Sequence, residues 1–163
     1  MDFALQYNPA QQGFDLSINA ATADFAREDT LQTAVVLSLM CDRSAQAHEA
    51  AAGADRRGWW ADAFRQVNPI DRAGTESFGS RLWLLLREKQ IPQTRERVRD
   101  YVQEALAWMV EDGMAQAVDV VVFVPRASWY VADVALQLRA GTRRFRFEWN
   151  GNLQLWHLAG ELA

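Results

Sequence analysis

The chain contains one cysteine, Cys41, and two histidines, His48 and His157, among 163 residues. A lone cysteine excludes an internal disulfide. Its position in the apolar run AVVLSLMC suits a small buried hydrophobe better than a reactive thiol. Neither histidine has metal-ligand spacing to Cys41 or to a carboxylate, so no metal and no other cofactor is expected. Phosphate-binding glycine loops and a G-x-S-x-G nucleophile elbow are missing as well. No segment approaches the roughly 20 apolar residues of a bilayer span, and the opening MDFALQYNPAQQ has no basic region ahead of an apolar one. Seventeen basic against 21 acidic residues leave a formal charge of −4. That balance provides no general attraction to nucleic acid or to an anionic membrane.

What remains is ordinary globular composition with one excess. Half the residues are hydrophobic and 23% are charged, while tryptophan occurs seven times, well above its usual share. Trp59, Trp60, Trp83, Trp108, Trp129, Trp149 and Trp156 are spread along the chain, and tryptophan serves equally as core filler and as interface anchor. The length suits a single domain spanning 1–163.

Near the start, Phe3, Leu5 and Tyr7 alternate with polar or small residues, as do Phe14, Leu16 and Ile18, with Asn8, Pro9 and Gly13 between them. This predicts a β-hairpin. From Asp29 or Thr30, either a possible N-cap, LQTAVVLSLMCD predicts a buried helix ending near Asp42. Residues 43–79 show weak periodicity, and a loop that long in a compact domain usually carries a function. A second helix is expected from Ser80 to the residue before Pro92. A third starts near Thr94, places Val98, Val102, Ala105 and Met109 on one stripe, and stops at Gly113.

Strands follow. Val118, Val120, Val122 and Val124 alternate up to Pro125, and Tyr130, Val134, Leu136 and Leu138 form a second period-2 run. The stretch RRFRFEWNGNLQLWHLA reads as two strands around a tight turn. A three-residue loop, Asn150 to Asn152, would pair Trp149 with Leu153 and Phe147 with Leu155. Trp156 and Leu158 would then share the opposite face with Arg144 and Arg146. The expected fold is α+β: an N-terminal β-hairpin, about three helices with a long Trp/Arg loop, and a C-terminal antiparallel sheet.

Signals for catalysis are poor. Glu111 and Asp112 are neighbours at a helix end and point in different directions, whereas a glycosidase needs two carboxyls facing one bond. Arg95 and Arg99 share a helix face interleaved with Glu96 and Asp100, which reads as a salt-bridged surface. Arg143, Arg144 and Arg146 suit either edge-strand protection or a partner. The densest constellation is the loop: Asp42, Arg43, Asp55, Arg56, Arg57, Asp62, Arg65, Asp71, Arg72 and Arg81 accompany Trp59, Trp60, Phe64 and Phe78. Arginine and tryptophan carry binding energy when desolvated, and arginine stacks on indole. The same residues could instead pin the loop to its own core.

Four segments occur in a recognisable order: TAVVLSLMCDRS, DRRGWWADAF, FGSRLWLLLREK and YVQEALAWMVEDG. Together they resemble the baseplate wedge proteins of Mu-type contractile phages, over roughly residues 3 to 140. That family is similar in turn to the small wedge protein of T-even phages that initiates the tail sheath. The matching positions are Asp42, Arg43, Arg57, Gly58, Trp59, Trp60, Asp62, Gly79, Ser80, Arg81, Leu82 and Trp83. The T-even relatives have a Glu-Pro-Arg motif after the long helix, where this chain has Val110 to Gly113, so only Glu111 can correspond.

The resemblance implies a structural protein rather than an enzyme, located in the virion tail baseplate and in the host cytoplasm during assembly. It implies six-fold copies that contact other wedge proteins, the central hub or tube, and the tail sheath subunit. A fold like the C-terminal domain of the sheath subunit is also implied, templating the first sheath ring. From the residues, strand addition to the C-terminal sheet would supply that contact. Arg43, Arg57, Gly58, Trp59, Trp60, Asp62, Arg81, Trp83, Glu111, Arg144, Arg146 and Trp156 are the expected partner-binding residues, with one of Trp59 and Trp60 facing inward and the other facing a partner. The alternatives are a lysozyme-like, peptidoglycan-degrading enzyme, since related wedge proteins resemble lysozyme, and an adaptor unrelated to tails.

Overall fold

In the computed structural model, which describes residues 2–8, 10–11, 13–28, 31–49, 55–58, 78–85, 88–150 and 155–162, the expected N-terminal hairpin forms between Leu5 and Leu16, while Phe3 and Ile18 at its expected ends pair with other strands. Strands β2 (Leu5–Asn8) and β3 (Gly13–Leu16) form an antiparallel hairpin that joins Leu5 to Leu16 and Tyr7 to Phe14. Two further ribbons adjoin it. β1 (Asp2–Phe3) pairs with β6 (Arg27–Glu28), and β4 (Ile18–Asn19) with β5 (Asp24–Phe25).

The ribbons meet in a closed triangle of main-chain bonds. Ala4 N–H donates to Ala26 at 2.8 Å, Ala26 N–H to Ser17 at 2.7 Å, and Ser17 N–H to Ala4 at 2.9 Å. Each strand changes partner there, so the backbone polar groups at the junction are satisfied. Thr33 ties the junction to the first helix: its hydroxyl donates to the Phe3 carbonyl at 2.7 Å and accepts from Leu5 N–H at 3.3 Å.

Helix α1 (Gln32–Met40) has no glycine or proline and buries Val35, Val36 and Leu39. It starts after Leu31, which adopts φ 64°. The expected caps, Asp29 and Thr30, lie outside the described residues.

The expected helix from Ser80 is not formed, and the described residues contain two α-helices rather than about three. Leu82–Leu85 make a short 3-10 turn instead. Tertiary partners outcompete helix propensity here. Ser80 is held by backbone bonds to Cys41 and Arg43, and Trp83 and Arg81 are drawn to groups on other segments. Ile91 is extended ahead of Pro92, as a pre-proline residue should be.

Helix α2 (Pro92–Glu111) takes proline in its first turn, where a missing N–H costs nothing. Val98, Val102, Ala105 and Met109 form its buried stripe, and Gly113, at φ 70°, follows its C-cap. Arg95, Glu96, Arg99 and Asp100 pair on the solvent side as expected.

Four antiparallel strands complete the chain: β7 (Ala117–Phe123), β8 (Trp129–Leu138), β9 (Gly141–Asn150) and β10 (Leu155–Leu162), lying side by side in that order. One face packs against the helices through Val120, Tyr130, Ala132, Val134, Leu136, Phe145, Phe147 and Trp149. Burying each of the larger ones contributes roughly 1.5–3 kcal/mol.

The expected register of the last hairpin is corrected. Leu155 pairs with Asn150, Trp156 with Trp149 and Leu158 with Phe147, so residues 151–154 connect the strands. Direct partners share a face. Trp156 and Leu158 therefore lie on the core side, and Arg144 and Arg146 on the other. An indole against an indole buries more apolar surface than an indole beside two guanidinium groups, which favours this register.

Candidate partner-binding site

The first and third sequence motifs converge where two backbone segments touch. Ser80 N–H donates to the Cys41 carbonyl and Arg43 N–H to the Ser80 carbonyl, both at 2.8 Å, making a parallel bridge between Asp42 and Ser80. The Ser80 hydroxyl donates to the Leu39 carbonyl at 2.7 Å. Gly79 permits this approach. Its φ is 97°, and a Cβ placed on it would stand 2.4 Å from the Cys41 carbonyl oxygen. Cys41 is half-buried, and burial, assisted by the Asp42 charge, pushes its thiol up, away from the reactive thiolate.

On this crossing stands an ion-pair network. Arg81, with only 13% of its side chain exposed, bonds Glu49 through one amino group and Glu104 of α2 through the other, while its guanidinium lies 4.7 Å from the centre of the Tyr101 ring. Glu104 also pairs with Arg43 at 3.2 Å. The Tyr101 hydroxyl donates to Glu49 at 3.3 Å and accepts from Arg97 at 3.2 Å. Burial opposes ionisation of Glu49, but bonds from Arg81 and the Gln46 N–H, with the Arg81 charge, outweigh it and hold the carboxyl below its ordinary value. Arg81 is likewise held charged: desolvation is overcome by its two carboxylates.

A second stack lies beside it. Trp83 donates its indole N–H to the Arg43 carbonyl at 2.8 Å, and Arg57 lies 4.6 Å over the Trp83 ring while pairing with Asp42 at 2.8 Å. Arg57 and Gly58 both have positive φ, 50° and 124°, so the chain turns sharply just before Trp59. Asp55 accepts the Arg57 N–H at 2.9 Å and stabilises the turn. Ala45 and Arg56 bond each other's segments through Ala45 N–H to the Arg56 carbonyl.

Arg43, Arg57, Gly58, Arg81 and Trp83 are thus brought together, while Trp59, Trp60 and Asp62 lie outside the described residues. Glu111 is exposed at the end of α2 and does not belong to this cluster's ion pairs. Arg146 grips Asp133 with two bonds of 2.7 Å on the outer face of the sheet, where Arg144 is exposed. Trp156 is separated from them, packed on the inner face 5.9 Å from Trp149.

Sequence reasoning missed Glu49, Tyr101 and Glu104. Tyr101 and Glu104 stand three residues apart and so share a helix face, a signal that a search beyond the apolar stripe would have found. Glu49 lies in the weakly periodic segment and carries no local mark. Glu49 is unsuited to the general-acid role of a glycosidase, which needs a raised carboxyl, because it is shifted the other way.

Residues 31–143 match the model of the family described as phage protein GP46. The chain belongs to the GP46 family. The matched span contains the whole Arg81 network and both helices, together with β7 and β8. The baseplate protein gp46 of Escherichia phage Mu is 38% identical over 133 residues, covering 78% of this chain and 86% of that protein. The Mu-like prophage FluMu protein gp46 of Haemophilus influenzae is 30% identical over 132 residues, covering 79% of this chain and 86% of the relative.

Proposed function

We propose that this chain is a structural component of a phage tail baseplate, located in the virion. The observation that carries this reading is the similarity, over most of both chains, to a Mu protein named for the baseplate. Within the baseplate it acts as a wedge component, six-fold around the tail axis. Its partners are other wedge proteins, the central hub or tube, and the sheath subunit. It works without catalysis.

Two surfaces carry the contacts. The segment at the Arg57–Trp83 stack and the Gly58 turn binds a wedge neighbour, with one of Trp59 and Trp60 as its anchor. The sheet presents β7, an edge strand whose Val121 is 62% exposed and whose Phe123 is 37% exposed, on the face opposite the helices. An edge strand offers unpaired main-chain groups to an incoming strand, and its alternating side chains select the sequence. A sheath extension added to β7 templates the first sheath ring.

The test is co-purification with candidate wedge partners, followed by sheath assembly on the complex. Wild type is compared with Val121→Lys, which places a charge on the open edge without touching the core. The expected result is normal wedge binding and lost sheath assembly. Normal sheath assembly on Val121→Lys overturns strand addition at β7, and no association of wild type with any baseplate protein overturns the reading as a whole.

A further inference from the structure

The three-ribbon junction carries an apolar surface that the contacts above do not use. Phe3, Ile18 and Phe25 are 50%, 66% and 45% exposed, and the Phe3 and Phe25 rings meet edge to face at 5.4 Å. Ile18 pairs directly with Phe25, which continues the patch along the ribbon. It runs into a groove of about 480 Å³ between ribbon and helices, lined by Phe3, Leu5, Leu16, Leu37, Phe78 and Trp108. Soluble proteins rarely leave so continuous an apolar surface without a use for it.

Charge is distributed very unevenly along the sequence. Residues 1–40 contain five acidic side chains, Asp2, Asp15, Asp24, Glu28 and Asp29, against one basic, Arg27. The whole formal charge of −4 therefore resides there, and residues 41–163 are neutral in balance. Asp15 and Asp24 are exposed and adjoin Leu16 and Phe25 in sequence, so their carboxylates stand within about one Debye length, ~8–10 Å, of the apolar patch. The ribbons also precede the residues that match the family model.

We infer that the N-terminal ribbons and their groove form a second docking surface, whose occupant is an amphipathic segment of another baseplate protein with apolar anchors flanked by Lys or Arg. The apolar groove supplies affinity, and the acidic surround supplies orientation and rejects acidic competitors. The inference rests on the baseplate reading but not on either surface assigned above. Fixing the ribbons to α1 through Thr33 keeps the surface preformed, which lowers the ordering cost of binding.

The experiment uses Ile18→Cys in the full chain, assembled into tail particles, with wild type reporting the Cys41 background. Thiol labelling should be fast in the purified protein and at least tenfold slower in the particle. A thiol-anchored photocrosslinker at the same position should capture a peptide with apolar residues at helical or alternating spacing beside Lys or Arg. The double variant Asp15→Lys, Asp24→Lys should lower incorporation at least fivefold, an effect that shrinks in high salt.

Slow labelling in the purified protein at all concentrations means that the chain covers its own groove, and concentration-dependent protection means that a second copy does. Either result overturns the inference, as do unchanged labelling in the particle and capture of an acidic peptide. Particles that lack the wild-type chain altogether overturn the baseplate reading, and this inference with it.

Discussion

Gly79 passes the Cys41 carbonyl so closely that a Cβ would stand 2.4 Å from its oxygen, in a backbone conformation with φ 97° that side chains rarely adopt. Gly79→Ala therefore combines strain with a backbone clash, because the neighbour is main chain and cannot rotate away. The expected loss is at least about 2 kcal/mol of stability. Urea unfolding should show a lower midpoint with an unchanged slope. A change below about 0.5 kcal/mol would mean that the Cys41–Ser80 crossing is not tight in solution.

Arg81 is the only described cation that bonds both Glu49 and Glu104. Arg81→Met should cost about 1–3 kcal/mol, since two partly buried carboxylates lose their shared donor. The pH dependence has a definite sign. The Glu49 carboxyl is held below its ordinary value of 4.5, so its contribution is present above that pH and disappears as pH falls through the lower folded value. Wild type should lose stability in acid below about pH 4.5, and Arg81→Met should lose less over the same window. Parallel acid limbs in the two proteins would remove Glu49 from the account.

The fold was legible where one periodicity controlled a segment. Val98 to Met109 and Val118 to Val122 each follow one period, and both become buried faces. The stretch from Ser80 misled because its leucines suit a helix while Gly79, Ser80, Arg81 and Trp83 all have stronger partners far along the chain. Register at Trp156 depended on the length of one turn, and a shift of one residue moves every side chain to the other face. Half of the arginine network was visible as charge. Its carboxylate half, on a helix face and in an aperiodic segment, was not.

Trp59 and Trp60 follow the turn at Arg57–Gly58 and lie outside the described residues. Adjacent residues do not share one face of a strand and sit about 100° apart on a helix, so the proposed division of labour has one indole locking the segment to this chain and the other meeting a baseplate partner. Single alanine variants should separate. One should lower the unfolding midpoint, and the other should leave it unchanged while weakening partner binding by about 2 kcal/mol or more. Calorimetry of folding and binding on both proteins decides the matter. If both variants unfold the free chain equally, the division of labour is wrong.

Trp149 and Trp156 are direct cross-strand partners with ring centres 5.9 Å apart on the core side of the sheet. A three-residue turn would have sent Trp156 to the outer face beside Arg144 and Arg146, where truncation costs little. The two registers therefore predict different energies. With the observed pairing, Trp156→Ala should cost about 2 kcal/mol, because a partly buried indole leaves the edge of the core. A double-mutant cycle with Trp149→Ala should show a coupling of about 0.5–1.5 kcal/mol, as expected for neighbouring aromatic rings. Additive losses would indicate that the rings do not meet, and a Trp156→Ala cost below about 0.5 kcal/mol would place Trp156 on the surface. The outer face would then gain an aromatic anchor beside its arginines, and the case for contacts on that side of the sheet would have to be built around Trp156 rather than around Val121 and Phe123.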